Sequence, residues 1–221
     1  MASNVFEKLV HVKVGKTILE GNLAVPNGSK GIVLFAHGSG SSRHSPRNKY
    51  VAGVLQEASL STLLIDLLTV AEERVDAYTA HLRFDIGLLA QRLSGATDWL
   101  VDNPETRHLQ IGYFGASTGA AAALVAAAKQ PDAVRAIVLR GGRPDLAGTS
   151  LPDVKAPTLL IVGGDDDQVI DLNEQARENM RTECRIVIVP GATHLFEEPG
   201  KLEQVAKLAT DWFRKHLTKV K

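Results

Sequence analysis

The chain has 221 residues, 44% of them hydrophobic, with 25 basic and 25 acidic side chains. That length fits one domain over 1–221 with a sizeable core, and the even charge gives no electrostatic case for nucleic acid or an anionic membrane as a partner. A lone cysteine, Cys184 in the apolar run CRIVIVP, excludes an intrachain disulfide and reads as a structural thiol.

The N-terminal MASNVFEKLV has no apolar core of signal-peptide length, and no run approaches the ~20 apolar residues of a membrane span, so a cytoplasmic protein is expected. Residues 9–14 and 17–25 predict two strands joined at Gly15-Lys16 as an antiparallel pair. After the turn Pro26-Asn27-Gly28, GIVLFAHG (31–38) is a continuous apolar run of the kind buried on both faces of a parallel sheet. A polar loop follows, then a helix over 48–59 and a buried strand over 61–67. Residues 69–79 read as an acidic connection, and a long amphipathic helix is expected from about His81 to Leu100, stopped by Asn103-Pro104.

Beyond it, strands are predicted at 108–115, 133–141, 157–164 and 184–191. Helices are predicted at 117–129, 172–180 and 199–217, and 141–156 reads as a loop or short helical excursion. The alternation predicts an α/β fold with a mostly parallel sheet and helices on both faces.

In such sheets ligands bind beyond the carboxyl ends of the strands. Ser117 stands there, in Gly115-Ala116-Ser117-Thr118-Gly119, a G-x-S-x-G pattern at a strand-to-helix turn. A tight turn puts the serine in a strained conformation and leaves no room for side chains two residues either way. Alone the pattern is weak. It also suits a close-packed βα turn, or, as Gly112-x-x-Gly115-x-x-x-Gly119, a dinucleotide's phosphates, although the first βα turn of the core carries no such fingerprint.

A serine nucleophile needs a base, and the base an orienting acid. Three aspartates, 165–167, follow the strand at 157–164, and His194 lies in the loop after the last strand. Singly these read as helix caps and a surface histidine. Together, in the order Ser, Asp, His and each at a strand's carboxyl end, they point to nucleophilic catalysis. No Cys/His cluster has metal-site spacing, and no cofactor is implied.

With TILEGNLAVP, GIVLFAHGSGSSR, GYFGASTG, PTLLIVGGDDD and PGATHLFEEPG in place, the chain resembles the α/β-hydrolases of the dienelactone-hydrolase-like group over nearly its whole length. The resemblance implies an eight-stranded sheet with its second strand antiparallel, and a Ser/Cys–Asp–His triad. Dienelactone hydrolases carry cysteine as nucleophile, and Ser117 stands in that place here, so serine-esterase chemistry is the expectation. The family pattern G-G-x-D, set on Gly163-Gly164, selects Asp166, with Asp167 as the alternative. The family's oxyanion hole would take the backbone N–H groups of Thr118 and of Ser39, the latter in His37-Gly38-Ser39-Gly40, where His37 is expected to hold the loop. Only 141–156 lies where many relatives carry a lid, so no lid domain is expected.

Arg43 and Arg47 in the loop after HGSG, and Arg140 and Arg143 at the rim, read singly as solvated or loop-pairing residues. Together they would suit a carboxylated or phosphorylated substrate. The expected function is hydrolysis of small carboxylic esters, thioesters or lactones. Slow or non-catalytic binding and acyl transfer are the rival readings.

Overall fold

The computed structural model describes residues 7–218. The described chain enters through a hairpin: β1 (Glu7–Val14) pairs antiparallel with β2 (Thr17–Ala24), as the alternation predicts. Next come β3 (Gly31–Ala36), α1 (Pro46–Glu57), β4 (Ser61–Ile65), α2 (Val70–Thr79), α3 (Ile86–Asp102), β5 (Gln110–Ala116), α4 (Thr118–Lys129), β6 (Val134–Arg140), β7 (Thr158–Gly163), α5 (Asp167–Asn179), β8 (Cys184–Val189) and α6 (Lys201–Leu217). The eight strands form one sheet in the order β1-β2-β4-β3-β5-β6-β7-β8. β2 runs antiparallel to both neighbours, and β4, β3 and β5 to β8 are mutually parallel.

The continuous apolar strands exist because both faces of the sheet are covered. In β3, Ile32 and Leu34 join one core with Tyr113 of β5 and with α3 and α4. Val33 and Phe35 join the other, with Phe114 of β5 and with α1 and α6. Seven of the twelve residues of α4 are alanine and the helix is buried along most of its length, so its backbone packs close to the sheet. Tyr113 is fully buried, and its hydroxyl meets Thr97 of α3 at 2.5 Å, which satisfies a polar group inside that interface.

Several boundaries differ from the sequence expectations for local reasons. α1 begins at Pro46, two residues early, because the Ser45 hydroxyl caps it and proline suits the first helical position. The connection at 69–79 is the helix α2. Thr69 and Glu72 form a reciprocal capping box there, with Thr69 N–H donating to Glu72 at 2.7 Å. The long helix expected from His81 is divided: Ala80 turns left-handed (φ 55°), residues 82–84 make one 3-10 turn, and α3 starts behind Asp85, whose carboxylate caps Leu88 N–H. Between β6 and β7 only the 3-10 turns of Pro144–Asp153 intervene, and no lid domain is present among the described residues.

α2 buries a single side chain, Asp76, which ties it down. Asp76 Oδ1 accepts from the N–H groups of Leu82 (2.7 Å) and Arg83 (3.2 Å), and Oδ2 from Arg83 Nε. Burial opposes the charge, but the bonds from Arg83 and Leu82 outweigh it and hold the carboxyl below its ordinary value. A depressed folded-state pKa means the tie is intact at neutral pH and is lost as pH falls below the ordinary aspartate value of 3.8. Asp76→Ala should therefore open 70–85 to limited proteolysis at neutral pH, while the main unfolding transition moves little. Cleavage mapping by mass spectrometry checks this, and unchanged protection of 70–85 would contradict it.

Candidate active site

The site is assembled from the carboxyl ends of β3, β5, β6, β7 and β8. Ser117 ends β5 and caps α4 with φ 50° and ψ −123°, a conformation that L-residues adopt only under constraint. Its neighbours impose it. Ser117 N–H reaches the Arg140 carbonyl (3.4 Å), and its own carbonyl accepts from Ala120 N–H (3.1 Å) and Arg143 N–H (3.1 Å). A Cβ on Gly119 would lie 2.2 Å from the Ala36 carbonyl oxygen and 2.5 Å from that of His37, so only glycine lets the start of α4 sit against the end of β3.

His194 and Asp166 are brought together: His194 Nδ1 and Asp166 Oδ2 are 2.7 Å apart. Asp166 occupies the cap position of α5 but makes no side-chain cap bond, because its carboxylate turns to the imidazole. The neighbouring aspartates are placed differently. Asp165 N–H donates to the Ala192 carbonyl (3.0 Å), and Asp167 begins α5, where its charge complements the helix dipole. Gly163 permits this, since a Cβ there would lie 2.3 Å from the Ala192 carbonyl oxygen. The histidine loop is itself held by fully buried Phe196 and by Glu198. Glu198 accepts from Thr193 N–H (3.1 Å) and Thr193 Oγ1 (2.5 Å), and the Thr193 bond keeps its carboxyl below the ordinary range.

Ser117, His194 and Arg140 line one cleft of roughly 240 Å3, together with Ser39, Ser41 and Ser45. A second hollow of roughly 290 Å3 lies on the far side of the Gly38–Ser42 loop, between Leu68 and Leu89 below and Glu73 and Arg83 of the α2 region. Ser39 and Thr118 are adjacent, but Ser39 N–H donates to Thr118 Oγ1 (3.0 Å). Thr118 N–H, at the first position of α4, has no intrahelical acceptor.

His37 holds its loop. Nε2 accepts from Leu67 N–H (3.1 Å) and Nδ1 faces the Gly38 carbonyl (3.0 Å), which fixes the neutral tautomer with the proton on Nδ1. Cys184 is half-buried, and burial pushes its thiol up to about 11, so it stays protonated and unreactive at neutral pH.

The arginines separate. Arg43 is not aimed at substrate. Its guanidinium is shared among Asp66, Glu20 (2.6 Å) and Asn22 (3.2 Å), and its N–H also donates to Asp66 (2.6 Å), so the loop after β3 is riveted to β2 and β4. Arg143 is taken up by a bidentate pair with Asp145 at 2.8 and 2.7 Å. Arg140 has no such partner. The serines at 41 and 45 on the cleft wall escaped the sequence reading, although Ser45-Pro46 carries a helix-start signal.

The fold is that of the α/β-hydrolases. The chain belongs to the Dienelactone hydrolase family, whose sequence pattern matches residues 69–219. It is 66% identical to a dienelactone hydrolase of Anabaena variabilis of known crystal structure, at a TM-score of 0.95 over 96% of this chain and 99% of that one. Est1E of Butyrivibrio proteoclasticus shares the fold at 15% identity, with a TM-score of 0.78 over 94% and 98% of the two chains. A Mycobacterium tuberculosis protein named "Putative phosphoribosyl transferase" is 61% identical over 208 residues, covering 94% of this chain and 46% of its own length. The chain thus spans about half the length of the curated relatives it matches. No helix among the described residues is long and apolar enough to cross a membrane.

Two measurements test these placements. Arg43→Met leaves the Asp66 carboxylate buried without its counter-charge, and should cost about 3 kcal/mol of unfolding free energy in urea titrations. His37 is pushed below its ordinary 6.5 by burial, against the Gly38 carbonyl and the Asp66 charge, so the unfolded chain takes up this proton first. Its contribution is complete above about pH 6.5 and falls away below that, by at most about 1.4 kcal/mol per pH unit. His37→Gln should flatten stability between about pH 7.5 and about pH 5.5 relative to the parent, and an unchanged slope would count against the assignment.

Proposed function

We propose that the protein is a serine hydrolase acting on small carboxylic esters, thioesters or lactones, within one hydrolase unit that spans the chain. The observation that carries this reading is the 2.7 Å contact of His194 Nδ1 with Asp166, beside a strained Ser117 in the same cleft. With Nδ1 engaged, Nε2 is the ring nitrogen left to take the proton of Ser117 as it attacks the carbonyl. Asp166 fixes the tautomer and offsets the imidazolium charge. The acyl-serine is then hydrolysed by water, with His194 again as base.

Thr118 N–H is the first oxyanion donor, at a helix start where its dipole also favours negative charge. Ser39 N–H is the second, and it becomes available when the Thr118 hydroxyl that it now contacts turns away. Of the arginines expected to meet a substrate anion, Arg43 and Arg143 are taken up by carboxylates of the chain, and Arg140 retains that role. The name of the M. tuberculosis relative belongs to a protein about twice the matched length. For the segment matched here, hydrolysis is the reading favoured by the Ser–His–Asp arrangement, and a phosphorylated small molecule is compatible with both.

Hydrolysis of p-nitrophenyl acetate and butyrate tests the reading. Ser117→Ala should lower kcat by about a thousandfold or more, and His194→Ala similarly. The double variant should be little worse than either, because the residues act as a unit. Equal rates in parent and Ser117→Ala would remove Ser117 as nucleophile. Product analysis with added alcohols separates acyl transfer from hydrolysis.

A further inference from the structure

We infer that Arg140 and Arg47 form a phosphate subsite in the Ser117 cleft, so that the substrate is an ester or lactone bearing a phosphate group. This rests on the hydrolase reading for the ester and on independent observations for the phosphate.

Arg140 ends β6, paired in the sheet with Ala116, directly beside the nucleophile. It is only 7% exposed, yet its Nε and Nη1 are buried without a hydrogen-bond partner. Among the described residues that line the cleft, none is acidic. Burial and the neighbouring Arg47 charge push the guanidinium down to about 10, so it remains charged at neutral pH with nothing to offset it. A buried, unpaired cation is among the least tolerable arrangements in a folded protein unless a ligand completes it.

Arg47 is held only on one side. Its Nη1 pairs with Glu197 (2.6 Å), while its Nε is likewise buried and unpartnered. Arg47 is also the second residue of the twelve-residue α1, whose capping Ser45 lines the same cleft with Ser41. Three unsatisfied donors on two guanidinium groups thus share the cleft with two hydroxyls and a helix start. A tetrahedral dianion offers three equivalent oxygens to such a set. A planar carboxylate matches one guanidinium edge and leaves the others unmet.

Inorganic phosphate is the probe, titrated calorimetrically into Ser117→Ala at fixed ionic strength, with acetate and malonate as controls. Because that variant needs no turnover, a failed hydrolase reading leaves the result interpretable. Phosphate should bind, and Arg140→Gln in the same background should weaken it by about 10- to 100-fold. Arg140→Met should keep or raise the melting temperature of the unliganded protein, since it removes an unpaired buried charge, and should abolish the upward shift that phosphate gives the parent. If the Arg140 variants do not fold, Arg47→Gln reports the same loss of binding. Absent phosphate binding, equal binding with and without the arginine, or acetate and malonate binding as tightly as phosphate would each overturn the proposal. Where aryl esters turn over, a phosphate-terminated acyl chain should have the lower KM, and Arg140→Gln should raise that KM without raising the KM of an uncharged ester.

Discussion

The site depends on the backbone of one residue. Ser117 is held at φ 50° between the Arg140 carbonyl and the Arg143 amide, a conformation that costs about 1–3 kcal/mol for a residue with a side chain. Both contacts come from the same stretch at the end of β6. The pairing of β5 with β6 therefore fixes the serine, and the packing of α4 fixes its helix start. The alanines of α4 and the glycine at 119 follow from that demand, since any larger side chain would push the helix off β3 and relax the turn.

The other arm is positioned by a different means. β7 and β8 end in loops joined by backbone bonds, from Gly164 to Val189 (2.8 Å) and from Asp165 to Ala192 (3.0 Å). His194 and Asp166 are therefore held by one pair of joined loops, and His194 lines the same cleft as Ser117. Secondary structure supplies the precision, and the side chains add one short contact.

Much of this was legible in the sequence, for identifiable reasons. The apolar runs at 31–36 and 158–163 have no alternation because helices cover both faces, and that alone implies a parallel sheet. The G-x-S-x-G turn is legible because its glycines answer to close backbone approach. The choice among the three aspartates is not fixed by their spacing, since all lie within one turn; it is decided by which one caps α5 while facing the histidine loop. The helix at 70–79 was written in Thr69 and Glu72, but its sequence buries almost nothing, so periodicity is silent there. The arginines could not be separated by sequence at all. Arg43 finds its carboxylates on β2 (Glu20) and just past β4 (Asp66), and Arg143 finds one two residues on.

Two departures from ordinary stability rules therefore sit side by side: the strained Ser117 and the unpaired Arg140, one strand apart at the same end of the sheet. By contrast, helices are capped at Ser45, Thr69 and Asp85, and the charged cluster around Arg43 is closed by partners. A sequence under selection for stability alone would relax either feature with a single substitution. Under the proposed phosphate subsite the two features have one origin: the strain serves the reacting group, and the charge is completed by the ligand rather than by the fold.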